Sequence, residues 1–163
     1  MKEKFKNYLV YIICIILLII DFISKRIVIS NLELGKSIKV IKNFFYLTYT
    51  RNTGAAFSIL EDSQILLIII TVIILFFINK NLNRSKLSKT ETISFGLILG
   101  GILGNLYDRI AYKYVIDFLD FKIFGYNYPI FNLADTFIVI GVFILLIKYI
   151  KEDIHERNNS KRK

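Results

Sequence analysis

The chain has 163 residues, of which 55% are hydrophobic and 21% charged, and its formal net charge is +9. The apolar residues fall in long blocks (8–20, 65–78 and 137–147), which exclude a disordered chain and argue against a soluble globular enzyme. One cysteine, Cys14, and one histidine, His155, exclude a disulfide scaffold and any zinc site built from several Cys or His ligands.

A helix needs about 20 residues to cross a ~30 Å hydrocarbon layer. Four segments come close, at about 8–27, 57–78, 92–110 and 130–150. The first carries Asp21, Lys25 and Arg26 only near its far end. It has the basic start and apolar run of a signal peptide but lacks a small-x-small cleavage site, so a retained helix is expected. Between the first two spans, residues 30–56 are rich in β-formers: Val40, Ile41, Phe44, Phe45, Tyr46, Leu47 and Tyr49 predict a small strand pair at the membrane surface. A loop at 79–91 leads to the third span, where Gly96, Gly100 and Gly104 form a stripe that lets another helix approach closely. A connection at 111–129 follows. The fourth span starts after Pro129, the only proline, and a tail at 151–163 ends the chain.

Lysine and arginine near the spans set orientation. Four spans place the N-terminal tail, the 79–91 loop and the C-terminal tail on one side, with 13 of the 22 basic residues. That side nets +8 and the other +1, so both termini are expected in the cytoplasm. The positive charge flanks the spans and suits anionic headgroups, which is a better reading than nucleic-acid binding.

Charged groups within spans are costly and are functional candidates by default. At ~1.5 Å per residue, Asp21 lies about 20 Å along from Tyr8 and Asp135 about 8 Å in from Ile130, both close to the outer boundary. Asn105, Asp108 and Arg109 end the third span there, Arg51 and Asn52 precede the second, and Asp117 sits in the outer connection. Polar groups from all four spans thus meet at one interface. Asp21 and Lys25, spaced i, i+4, are placed to pair along one helix face in a structural role, and Asn132 suits a helix cap. Asp135 has no local cationic partner at helical spacing, and Asp117 lies in a connection rather than on a helix. Two adjacent carboxylates share one proton, so the ionised one takes a proton from water and the protonated one donates to a carbonyl. The motifs of metalloproteases and rhomboid-type serine proteases are missing. For a protease, carboxylate chemistry remains.

Five blocks carry a resemblance. They are Asp21-Phe22-Ile23-Ser24-Lys25, Arg51-Asn52-Thr53-Gly54-Ala55-Ala56-Phe57, and Gly100-Gly101 through Gly104-Asn105-Leu106-Tyr107-Asp108-Arg109, followed by Val115-Ile116-Asp117-Phe118 and Phe131-Asn132-Leu133-Ala134-Asp135. In order and spacing they resemble the lipoprotein (type II) signal peptidases over nearly the whole chain. The resemblance implies a mainly α membrane protein of four transmembrane helices, a small extracytoplasmic β-sheet cradle, and a short mobile outer helix near residues 59–63. It implies an aspartyl endopeptidase of the bacterial cytoplasmic membrane that cuts diacylglyceryl-modified prolipoproteins just before the lipidated cysteine. Asp117 and Asp135 match the catalytic pair. Asn52, Gly54, Gly101, Asn105, Asp108, Arg109, Asn132 and Ala134 match residues lining or supporting the site, with Asp21 and Lys25 as structural support. No metal or cofactor is implied. The implied partners are prolipoprotein substrates, membrane lipid and globomycin-type inhibitors, with a monomeric enzyme. A proton relay and a non-catalytic scaffold are the competing classes. The relay would need polar groups at mid-bilayer, where the spans are apolar.

Overall fold

The computed structural model describes residues 2–54, 63–82 and 87–160. Its elements in chain order are α1 (Lys2–Asn31), β1 (Ser37–Ile41), β2 (Phe45–Asn52), α2 (Gln64–Leu82), α3 (Lys89–Tyr112), β3 (Val115–Ile123), β4 (Tyr126–Asn127) and α4 (Leu133–Ser160). The expected outer helix at 59–62 and the first residues expected in the second span lie outside the described residues, and Ser63 is irregular.

Helix ends are set locally. Ser88 caps α3, accepting from the Glu91 backbone N–H at 3.2 Å, while the Glu91 carboxylate accepts from the Ser88 N–H at 2.7 Å. This reciprocal pair satisfies two donors that a helix start leaves open. Lys113, at φ 67°, closes α3 by donating its N–H to the Arg109 carbonyl. At the start of α4, the Asn132 side chain accepts from the Asp135 N–H at 2.9 Å.

α3 packs between α1 and α4, and glycine decides how closely. A Cβ on Gly100 would sit 2.9 Å from Leu17 Cβ, and one on Gly141 would sit 2.8 Å from the Ser94 carbonyl oxygen. The stripe expected from the sequence therefore serves the α1 contact, and Gly101 and Gly141 serve the α4 contact. One apolar cluster forms at the end where α1 begins, around Val10, Cys14, Leu82, Leu87 and Leu99. Another, of Val28, Tyr49, Ile116 and Phe118, lies where α1 ends and meets the sheet.

The sheet is antiparallel in the order β1-β2-β3-β4. The sequence predicts only its first two strands. The 111–129 connection supplies the other two: Val115–Ile123, where the apolar pairs Val115-Ile116 and Phe118-Leu119 break any regular alternation, becomes a strand by pairing with β2. Phe45 lies opposite Phe121, and Thr50 opposite Asp117 after a register shift beyond Leu47.

Large apolar side chains remain open along the helices: Ile12, Ile16, Ile19, Ile23 and Ile27 on α1, Ile65 and Phe76 on α2, and Phe143 on α4 are each about half-exposed or more. Contiguous apolar surface on this scale marks contact with lipid or protein. Among the described residues one helix, Leu133–Ser160, is long and apolar enough by length and composition to cross a membrane, and Gln64–Lys80 is a shorter apolar helix.

Candidate active site

Asp117 reaches the site because β3 turns alternate side chains toward one face, and its backbone is pinned opposite Thr50. Asp135 arrives from the first turn of α4, three residues after the cap. Asn132 joins them. Its side-chain Nδ2 donates to Asp117 Oδ1 at 2.7 Å, and its backbone N–H donates to Asp135 Oδ2 at 3.2 Å. A helix cap has thereby become the bridge between two carboxylates on different elements.

Each carboxylate has a second amide donor. Asn52 Nδ2 lies 2.9 Å from Asp117 Oδ2, and Asn105 Nδ2 lies 2.7 Å from Asp135 Oδ1. The Asn52 side-chain oxygen accepts from the Gly54 N–H at 2.9 Å, which fixes which way the amide faces. Asn105 Oδ1 accepts from Lys25 Nζ and from Asn132 Nδ2, each at 3.1 Å, so its amide nitrogen is left to face Asp135.

Beneath this layer Lys25, 1% exposed, is held by three acceptors: Asp21 Oδ2 at 2.7 Å, Asp108 Oδ2 at 2.9 Å and Asn105 Oδ1. A buried ammonium persists only when its protons are all bound. The remaining carboxylate capacity ties the elements together, since Asp21 Oδ1 accepts from the Ala134 N–H and Asp108 from the Ile116 N–H. Lys25 is thus connected to the backbone beside each aspartate of the pair. Gly104 makes room for it, because a Cβ there would lie 2.5 Å from Asp21 Oδ2.

Arg109 donates to the Gly54 carbonyl oxygen at 3.3 Å and feels the charges of Asp135, Asp117 and Asp108. Its buried Nε has no hydrogen-bond partner among the described residues. Burial, and then the charge of Asp135, push the Asp117 carboxyl up to about 7, against the opposing hydrogen bonds from Asn52 and Asn132. An apolar surrounding penalises a second negative charge beside a first, so the pair retains a proton near neutral pH.

The twelve residues singled out from the sequence come together here, eleven of them through hydrogen bonds or ion pairs at the site. Ala134 joins through its N–H on Asp21, and Gly101 through packing, since a Cβ there would collide with the Ala134 carbonyl oxygen. Three contributors were not foreseen: the Ile116 backbone, whose carbonyl accepts from Asn132, Thr50, whose hydroxyl donates to the Asp117 carbonyl, and Gln64, which donates to the Thr53 carbonyl. They act through strand register and main chain, which side-chain identity does not announce.

The fold is that of a bacterial membrane enzyme. Two solved structures described as a bacterial membrane enzyme, determined in meso, superpose with TM-scores of 0.83 and 0.80 at 34% and 35% identity. The first covers 88% of each chain, the second 87% of this chain and 92% of the other. The chain belongs to the signal peptidase II family, whose pattern matches residues 13–151. It is similar to the lipoprotein signal peptidase of Halothermothrix orenii, 43% identical over 139 residues that cover 85% of this chain and 93% of that one. The protein is accordingly a protease that cleaves lipoprotein signal peptides.

Proposed function

We propose that Asp117 and Asp135 are the catalytic pair. The observation that carries this is Asn132, which hydrogen-bonds both carboxylates at once in a mostly buried setting. Asp135 sits at the positive end of α4, which favours negative charge, so it is the ionised member and Asp117 carries the shared proton. Asp135 takes a proton from water as the water oxygen bonds to the scissile carbonyl carbon, and Asp117 donates to the carbonyl oxygen. The C–N bond then breaks as Asp135 returns its proton to the leaving nitrogen and Asp117 recovers its own. Asn52, Asn105 and Asn132 hold the pair, with Gly54 and Arg109 beside it. Asp21, Lys25 and Asp108 brace it from below, and Gly101 and Ala134 let α3 and α4 close behind it.

The chain is a single polytopic domain with four spans at about 8–27, 57–78, 92–110 and 130–150, both termini cytoplasmic and the site at the extracytoplasmic face of the bacterial cytoplasmic membrane. The apolar surfaces of α1, α2 and α4 support this topology, as does the charge asymmetry. The substrate is a prolipoprotein carrying a diacylglyceryl cysteine, whose acyl chains hold the scissile bond at the depth of the carboxylates and restrict its orientation. The enzyme acts as a monomer in lipid, and globomycin-type lipopeptides block the pair.

The test is cleavage by the purified protein in lipid of a prolipoprotein with and without the diacylglyceryl group. Cleavage of the modified form, resistant to EDTA and lost in both Asp117→Asn and Asp135→Asn at unchanged thermal stability, is expected. Normal turnover by either variant refutes the pair.

A further inference from the structure

The sheet ends in a surface that the chemistry does not use. Phe45 pairs with Phe121 and the Lys122 N–H donates to the Phe44 carbonyl at 2.8 Å, so the β1–β2 and β3–β4 turns lie side by side. Phe124 lies seven positions beyond Asp117, which puts these turns roughly 20 Å from the carboxylates at ~3.3 Å per strand residue.

The turns are unusual in what they present. Ile123 pairs with Tyr126, so Phe124 and Gly125 form a two-residue turn, with φ of 50° and 82°. Such a turn favours Asn or Gly at its first position. A phenylalanine stands there instead, in a left-handed conformation and fully exposed. Around it Ile41, Phe44, Ile123 and Tyr126 are each open by two-fifths or more. Three lysines share these strand ends: Lys42 follows β1 in its turn, Lys39 is paired with Tyr46, and Lys122 is paired with Asn127 and lies 4.7 Å over the Tyr46 ring. Across residues 36–46 and 119–128 the one acid is Asp120, which accepts from Thr48 at 2.7 Å.

We propose that the paired turns are an interfacial anchor, with Phe124 and its apolar neighbours seated among the lipids of the outer leaflet and the three lysines on anionic headgroups. An aromatic and aliphatic tip with a lysine collar matches that layer in both polarity and charge. Seated there, the anchor fixes the tilt of the sheet and so the depth of Asp117 at the outer interface. The inference rests on the topology proposed above.

The chain has no tryptophan, so a single substitution gives a clean probe. Phe124→Trp and, separately, Ile19→Trp are placed in vesicles of phosphatidylcholine and phosphatidylglycerol, with brominated lipid or aqueous iodide as quencher. Trp at 124 is expected to be quenched at least twofold more by shallow-brominated lipid than by iodide. Its lipid quenching is expected to fall at least twofold when Lys39, Lys42 and Lys122 are all changed to Gln, or when phosphatidylglycerol is omitted. Iodide-dominated quenching, or shielding from both quenchers that disappears as protein is diluted in lipid, would overturn the anchor in favour of water or a second copy. The Ile19→Trp probe separates the two levels. If it too is open to iodide, the spanning topology fails; if it is lipid-quenched while 124 is not, the anchor alone fails.

Discussion

Changing Lys25 to Met removes the one cation from a buried cluster and leaves Asp21 and Asp108 facing each other. Three contacts are lost, at 2.7, 2.9 and 3.1 Å, all from a side chain that is 1% exposed. Breaking a buried ion pair by deleting one partner costs about 3–5 kcal/mol, because the remaining charge is stranded. For a chain of this size ~1 kcal/mol moves the midpoint by about 2–4 °C, so a drop of roughly 6–20 °C is expected. Cys14 provides the readout: it is the only cysteine and is 3% exposed, so a thiol-reactive dye labels it as the helices separate. Replacing the whole cluster with neutral groups (Asp21→Asn, Lys25→Met and Asp108→Asn together) is expected to recover at least half of the loss. A drop of less than about 2 °C for Lys25→Met alone would refute the view that this cation organises the site.

Three further outcomes follow from the same geometry. Gly101→Ala drives a Cβ into the Ala134 carbonyl and Ile138 and pushes α4 away from α3, costing about 1–3 kcal/mol; thermal melting and turnover are both expected to fall. Asn132→Asp keeps a cap but loses the amide donor to Asp117, so cleavage is expected to fall roughly a hundredfold. Melting of that variant stays closer to wild type than that of Asn132→Ala, which also forfeits about 1 kcal/mol of capping. The Asp117 carboxyl is raised from 3.8 to about 7, so the folded protein binds an extra proton between those values. Stability therefore declines as pH rises through that window and levels off above it, and Asp117→Asn flattens the slope. Cleavage is expected to fall above about pH 7 as the shared proton is lost.

The helices were legible because long apolar runs and a proline before α4 are local signals. The residues of the site were legible by residue type at one depth of the chain, and through the family resemblance. What the sequence hid was pairing. Val115 to Ile123 read as a connection because its strand character appears only once β2 is alongside, and the register shift that puts Thr50 opposite Asp117 has no marker in residue identity. Asn132 was visible as a cap, but its second role depends on where β3 delivers Asp117. Gly104 looked like a packing residue on a glycine stripe, and its contact with Asp21 depends on the α1–α3 separation.

In the proposed mechanism Asp117 and Asp135 share one proton, with Asn132 bonded to both. Isotope-edited infrared titration of the aspartate carboxyls, in protein reconstituted in lipid, counts that proton directly. One protonated carboxyl is expected at this site, lost with a midpoint near pH 7, and its titration moves when either Asp117 or Asp135 is changed to Asn. Two carboxylates that are both fully ionised at pH 5, with no response to the partner's removal, would contradict it.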